Sequence, residues 1–532
     1  MRCRRLLVRF FLTLLICSAP TLAWADVVLR RGALVEPETL DVHKSATLPE
    51  YYIELDLFEG LLTSSASGEP VPGVAESWAI SEDGRVYTFS LRRDAKWSDG
   101  APVTARDFVF SWRRAVAPET ASPYIALLWP ILNAKAIAEG KETDRSKLGV
   151  EALDDRTLRV TLHHPAPHFP SILIHHVTFP IQEAAYTAHG PAFIRPEHFV
   201  GNGPFVLAEH VPHSHIKLAR NPHFHSADQI HLDAVYYYPI DDQNAELRRY
   251  RAGELDITGD VPSAQIPWVR QTFGGQFHSA PTLGVYFYGF NLRHEPWRNA
   301  PKLRRALSLA IDRDLLVEKI LQGGEVPAYG IVPPGTAGYE PPAPDQARLM
   351  QADRDALARR MLAEAGYGPG KPLKVELLFN SSENHKRVAM ALAAMWREKL
   401  GVHATTTNRE WKLFLNDRKD RTYKDLARDR LVAIYNDPLA FLETFRSDQE
   451  GGNVPSYADP VYDDLLARAA TMPEAESRSQ TLRMAEERLI ADSPVIPLFF
   501  FSSRHLVADH VKGWQDNPSD LHPSRHLRIE RP

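Results

Sequence analysis

The sequence predicts a mixed α/β protein of two or three lobes, and three observations carry that reading. About 500 residues follow an N-terminal leader, more than one hydrophobic core usually organises. The stretch from Gly60 to Trp112 parses as strand, turn and capped helix in close succession. Further along, segments with helical and with strand patterning occur in the same region rather than in separate blocks.

Within the first stretch, Asp83-Gly84 and Asp99-Gly100 are turn signals. Val86 to Leu91 between them is alternating and rich in β-branched and aromatic residues, as a strand should be. Thr104 stands three residues before Asp107, the spacing of a capping box, and opens an apolar helix through Phe108, Val109 and Trp112. The tryptophans and turn glycines of this unit read as scaffold that fills a core.

At the N-terminus, Arg2, Arg4, Arg5 and Arg9 precede an apolar run, Phe10 to Ile16, too short to span a bilayer. Ala23-Trp24-Ala25 supplies a small-x-small cleavage site, so residues 1–25 read as a signal peptide and Asp26 as the mature N-terminus. A lipid anchor at Cys17 is the competing reading, although Ile16 stands where such a site wants a small residue. Cleavage removes four arginines and no acid, so Lys+Arg falls from 62 to 58 against 67 Asp+Glu and the mature net charge is −9. That charge argues against a nucleic-acid partner. Both cysteines, Cys3 and Cys17, leave with the leader, and no later segment is apolar for long enough to cross a membrane. The expected product is exported and periplasmic.

Leu303 to Gln322 reads as one amphipathic helix ended by Gly323-Gly324, with Asp312, Arg313 and Asp314 on its polar side. Lys374 to Phe379 is a strand, and His385 to Leu400 a helix stopped by Gly401. Gly284 to Asn291 and Val495 to Phe501 are aromatic runs of strand length, either hinge strands between lobes or plain buried strands; the two readings are compatible. No internal repeat is present, and low complexity is confined to Pro-rich loops such as Val332 to Gly335.

Enzymatic chemistry has no recognisable motif here: there is no Gly-x-Ser-x-Gly, phosphate-binding loop, dinucleotide glycine fingerprint or His-Glu-x-x-His. No enzyme activity and no cofactor are expected. Histidine is the oddity, since 13 of the 22 lie between His163 and His231. The pairs His213/His215 and His223/His225 would each face one side of a strand and share a metal, whereas solvated surface histidine is the reading for most of the group, because no Cys or acid sits beside them at ligand spacing. No metal site is assigned.

The ordered wording of Gly60 to Trp112, with matching motifs from about Leu40 to Leu506, resembles the extracellular solute-binding proteins of family 5, and most closely their oligopeptide-binding branch. That resemblance implies a periplasmic-binding-protein type II-like fold: three mixed α/β lobes with a ligand cleft between them and two hinge crossings. Lobe one would take Asp26 to Phe58, Glu183 to Thr282 and Ser503 to Pro532; lobe two Glu59 to Gln182; lobe three Leu283 to Ser502. It further implies a monomeric receptor that captures a small peptide or peptide-like ligand and delivers it to an inner-membrane ABC permease.

Carried over position by position, Tyr124 and His175 match cleft residues of the family, and Trp411 matches a pocket tryptophan. His385, Arg418 and Arg428 match a histidine and two arginines that meet peptide carboxylates, with a structural ion pair as the competing account for each. The departure lies at Leu431, Val432 and Ile434, where peptide binders of this branch carry tryptophan, cysteine and the aspartate that pairs with the peptide α-ammonium. Leu321 likewise replaces a lysine. The anion side is kept and the ammonium side is lost, unless Asp429 or Asp437, the nearest acids in sequence, takes over. Three readings follow: a carboxylated peptide-like ligand without an ordinary free N-terminus; an unrelated amphipathic acid; or a sensory or interaction protein that signals to a membrane partner.

Overall fold

The computed structural model describes residues 26–449 and 452–530. The leader, its cleavage site and both cysteines lie outside the described residues. Among those described, no helix is long and apolar enough to cross a membrane.

Thr104 donates its N–H (2.7 Å) and its hydroxyl (3.0 Å) to Asp107 Oδ2, and the helix Ala105–Ala115 starts at that capping box. The strand Val86–Leu91 pairs antiparallel with Ala75–Ile80 and Thr157–Thr161, and Val150–Asp154 completes a four-stranded sheet. Gly84 and Gly100 take φ of +68° and +88°, which only the turn residues foreseen there adopt without strain. Trp97, Phe108, Trp112 and Phe89 are fully buried against this sheet, and Trp112 Nε1 donates to the Thr178 carbonyl at 2.8 Å. These side chains are a core, remote from solvent.

A second four-stranded sheet joins Val28–Gly32, parallel to Ala234–Tyr238, with His215–Arg220 and Phe205–Val211. Its core draws on Leu29 to Phe58, Phe179 to Ile257 and Val507 to Leu527, so the chain passes through this lobe three times. The third lobe holds six strands in the order Val326–Pro327, Val495–Ser502, Pro281–Phe290, Leu426–Val432, Lys374–Asn380 and His403–Arg409. One face of it packs on Leu303, Leu307 and Trp396, the other on Phe441, Leu465 and Leu482.

The two aromatic runs are neighbours in that sheet, so both readings of them describe the same residues. Pro281 pairs with Ser502, Ser503 N–H donates to the Ala280 carbonyl at 2.9 Å, and Phe277-His278 pair with Leu506 and His505 beyond. The crossings therefore run side by side as one antiparallel ribbon.

Buried ion pairs join the first two lobes. Arg114, on the helix Ala105–Ala115, forks onto both oxygens of Asp41 and reaches His43 Nδ1 at 2.7 Å. Glu59 accepts from Arg525 at 2.6 Å and lies 2.8 Å from His225 Nε2. Buried bidentate pairs hold geometry tightly because separating them strands a charge.

Two sequence expectations are corrected. Leu303 to Gln322 is not one helix: Pro301–Leu309 ends, Asp312 caps a new turn by accepting from Leu315 N–H at 3.0 Å, and Leu316–Leu321 winds as a π-turn. Arg313 is buried rather than on a polar side, because the carbonyls of Ala328 (2.7 Å) and Pro497 (2.9 Å) accept its Nε–H. The histidine pairs are not strand pairs either: His213 has φ +59°, and His223 and His225 follow the strand His215–Arg220 in turns. Several find acids distant in sequence, His210 with Glu36 at 3.0 Å and His225 with Glu59, while His163 and His164 are exposed.

Glu246 is fully buried, and its Oε1 accepts from Gly259 N–H at 2.8 Å. Burial pushes its carboxyl up to about 7. A folded value raised above the unfolded one gives stability that is complete at low pH and is lost as pH rises through 7. Glu246→Gln is therefore expected to gain on wild type between pH 5 and pH 8, by on the order of 3 kcal/mol. Thermal melts of both proteins at the two pH values check this, and a difference independent of pH would contradict it.

Candidate functional site

A cavity of about 320 Å³ opens where the three lobes meet. The first lobe gives Tyr51, Tyr52 and the C-terminal loop from Pro518 to Leu521; the second gives Tyr124, Ile174, His175 and His176; the third gives Leu283 and the run from Val432 to Asn436.

Tyr124 and His175 stand together on the second-lobe side. The Tyr124 ring meets the His175 ring edge-on at 4.7 Å, and its hydroxyl donates to the Ala46 carbonyl at 2.9 Å. His175 Nδ1 accepts from Val177 N–H, and burial holds this imidazole well below its ordinary range. Burial likewise brings His176 down to about 4 and pushes the Glu54 carboxyl beside it well up. At neutral pH both imidazoles are therefore uncharged, and with Tyr124 they make this wall aromatic.

Opposite stands the aliphatic wall. Val432 and Ile434 line the cavity with their side chains 57% and 43% exposed. Leu431 does not join them. Strand parity turns it to the other face of the sheet, where with Val285 and Phe287 it packs on the core, so its place in the predicted site is corrected to a packing position.

Neither nearby acid is free to replace the missing aspartate. Asp437 receives both Nη groups of Arg478 at 2.8 Å, and Asp429 is buried in an ion pair with Arg418. Arg418 is thereby placed in the structural ion pair that was its competing account. Among the described residues, the carboxylate lining the cavity is Asp520, which no sequence pattern singled out, and it too is engaged: His505 Nε2 lies 2.9 Å and His522 Nε2 3.1 Å from its Oδ1.

Farther along Leu426–Val432 the character changes. Arg428 and Arg430 share a face with Val432, and four residues of strand put Arg428 about 13 Å from it. Arg428 is buried, its Nε donates to Asn380 Oδ1 at 2.8 Å, and its guanidinium lies 5.7 Å from the Tyr286 ring and 5.5 Å from that of Phe414. No carboxylate is within ion-pair distance of it among the described residues. His385 Nδ1 lies 3.1 Å from the Tyr286 hydroxyl, and burial together with Arg428 and Arg430 brings this imidazole down to about 4. Trp411 is 47% exposed and stacks on Phe414 at 6.0 Å. Arg430 and Asn380 were missed in the sequence; the i, i+2 alternation from Arg428 to Val432 was the available signal for Arg430.

Three lobes on two hinge crossings around a largely apolar cavity define a type II periplasmic-binding-protein fold built for solute capture. The profile of the bacterial extracellular solute-binding proteins, family 5 (middle region), matches residues 69–453, and the chain belongs to that family. The periplasmic murein peptide-binding protein MppA of Escherichia coli (strain K12) is 39% identical over 93% of this chain and 91% of its own. The periplasmic oligopeptide-binding protein OppA of the same organism is 39% identical over 96% and 93%, and its probable deoxycholate-binding periplasmic protein YgiS 37% identical over 98% of each. The unliganded open form of MppA superposes with a TM-score of 0.88, 38% identity and coverage of 95% and 97%. Haemophilus influenzae OppA in complex with the peptide RPPGFSPFR superposes with a TM-score of 0.73 and 35% identity over 95% and 99%.

Proposed function

We propose that this chain is the exported, monomeric receptor of an ABC importer, binding a peptide or peptide-like ligand that carries a carboxylate and passing it to an inner-membrane permease. The lobe limits are those set out from the sequence, and binding rather than catalysis is its role. The single observation that carries the ligand reading is Arg428: a buried guanidinium without a carboxylate partner among the described residues, beside Arg430 and a neutral His385. Desolvated and unpaired, it supports an anion partner supplied by the ligand. The names of MppA and OppA support a peptide as the bearer of that group.

Mass spectrometry of ligand carried through native purification tests the assignment. A carboxylated peptide-like mass is expected. A carboxylated amphipath without amide bonds, the kind of ligand the name of YgiS indicates for that relative, would favour the second reading. For export, the intact mass of periplasmic protein should begin at Asp26, and a retained leader or a lipidated Cys17 would overturn that.

Closure accompanies binding in this account. The buried pairs Arg114–Asp41 and Arg525–Glu59 tie lobes one and two, leaving the ribbon at Pro281 and Ser502 as the place to bend. The close match to an open, unliganded relative supports an open arrangement here. Small-angle scattering should show a smaller radius of gyration at saturation with ligand, and an unchanged radius would count against closure.

A further inference from the structure

Metal-ligating side chains do converge in this protein, away from the histidine-rich stretch. Among the described residues, the group with metal-ligating proximity is His505, Asp520 and His522, whose donor atoms lie within 4.8 Å of one another. His505 follows the second lobe crossing; Asp520 and His522 belong to the C-terminal loop.

Several features make this a built site. Asp520 is a non-glycine residue at φ +54°, a left-handed conformation that persists where surroundings enforce it. His505 Nδ1 lies 2.9 Å from the Thr258 carbonyl, which holds the ring with Nε2 toward Asp520, the way proteins orient a metal-ligating imidazole. The His522 ring is fixed by stacking on Trp514 at 3.7 Å and 19°. An ion about 2.0–2.1 Å from each donor needs them about 3.4 Å apart, a few tenths of an ångström beyond the 2.9 and 3.1 Å between the imidazoles and the carboxylate. Both histidines are buried, whereas Asp520 reaches the ligand cavity, so the cavity is the entry path and the side on which a coordination position stays open.

We propose that His505, Asp520 and His522 bind one divalent transition-metal ion of the zinc, nickel or copper class at the edge of the cavity, with its open position facing the ligand space. Two imidazoles and one carboxylate suit such borderline ions better than magnesium or calcium, which prefer all-oxygen shells. The proposal concerns the metal alone and does not depend on which ligand the receptor carries.

The test uses the mature full-length protein, stripped with chelator and titrated with zinc chloride by calorimetry. One ion per chain is expected, with affinity reduced at least tenfold in Asp520→Asn and in His522→Gln. Because either variant can disturb the loop, zinc-edge X-ray absorption on the unaltered protein provides an independent readout, with two imidazoles and a carboxylate expected in the shell. Absence of binding at millimolar zinc, a shell without imidazole, or equal affinity in folded variants would overturn the proposal and leave the three residues as a buried ion pair.

Discussion

Arg418→Ala is expected to lower the free energy of unfolding by on the order of 3–5 kcal/mol, while Arg428→Ala is expected to weaken ligand binding by on the order of 2–5 kcal/mol. The two arginines lie on the same side of the third lobe, and both guanidiniums are 5.5 Å from the Phe414 ring. Their partners differ. Arg418 meets Asp429, which is buried, and burial pushes that carboxyl up even with the guanidinium beside it. Removing Arg418 strands the acid inside the sheet, so stability falls whether or not ligand is present. Arg428 hydrogen-bonds the neutral amide of Asn380, and removing it strands no charge in the free protein. Its loss should register mainly when a ligand carboxylate arrives. Urea melts without ligand and calorimetry with the co-purifying ligand separate the two effects. Equal losses of stability with unchanged affinity would assign Arg428 to structure alone.

What the sequence discloses and what it hides follows from the range of each interaction. The capping box at Thr104 and Asp107, the turns at Gly84 and Gly100 and the helix stop at Gly401 depend on neighbours a few residues away, and they stand as expected. The lobe plan rests on the resemblance, since periodicity does not say which segments share a lobe. Side-chain facing was harder. Leu431 and Val432 look alike in sequence, yet one residue of strand parity sends the first to the core and the second to the cavity. Arg313 looks solvent-facing until the carbonyls of Ala328 and Pro497 are brought to it by the sheet. Asp520 reaches the cavity from the C-terminal loop, and local density of histidine pointed toward residues 163–231 instead of toward His505 and His522.

The largest expected effect concerns Ile434. It stands on the exposed aliphatic wall where the resemblance places the aspartate for a peptide α-ammonium, and closure would cover it. Burying an ammonium there without a counter-ion costs several kcal/mol, a large share of the roughly 8 kcal/mol that micromolar binding represents. Asp429 and Asp437 are held by Arg418 and Arg478, and Asp520 by two imidazoles, so none stands ready to replace it. Unmodified tri- and tetrapeptides should therefore bind weakly, and ligands with a blocked or absent α-amine should be preferred. Ile434→Asp should shift that preference toward the free amine, since it adds attraction for the ammonium and burdens the neutral ligand with a desolvated acid.

The most direct measurement is calorimetry of one short peptide and its N-acetylated twin, each against the unaltered protein and Ile434→Asp. The account predicts tighter binding of the acetylated peptide by the unaltered protein, with the order moving toward the free peptide in the variant. Tight binding of the free peptide by the unaltered protein would contradict it and would turn attention to Asp520 as the acid that receives the ammonium.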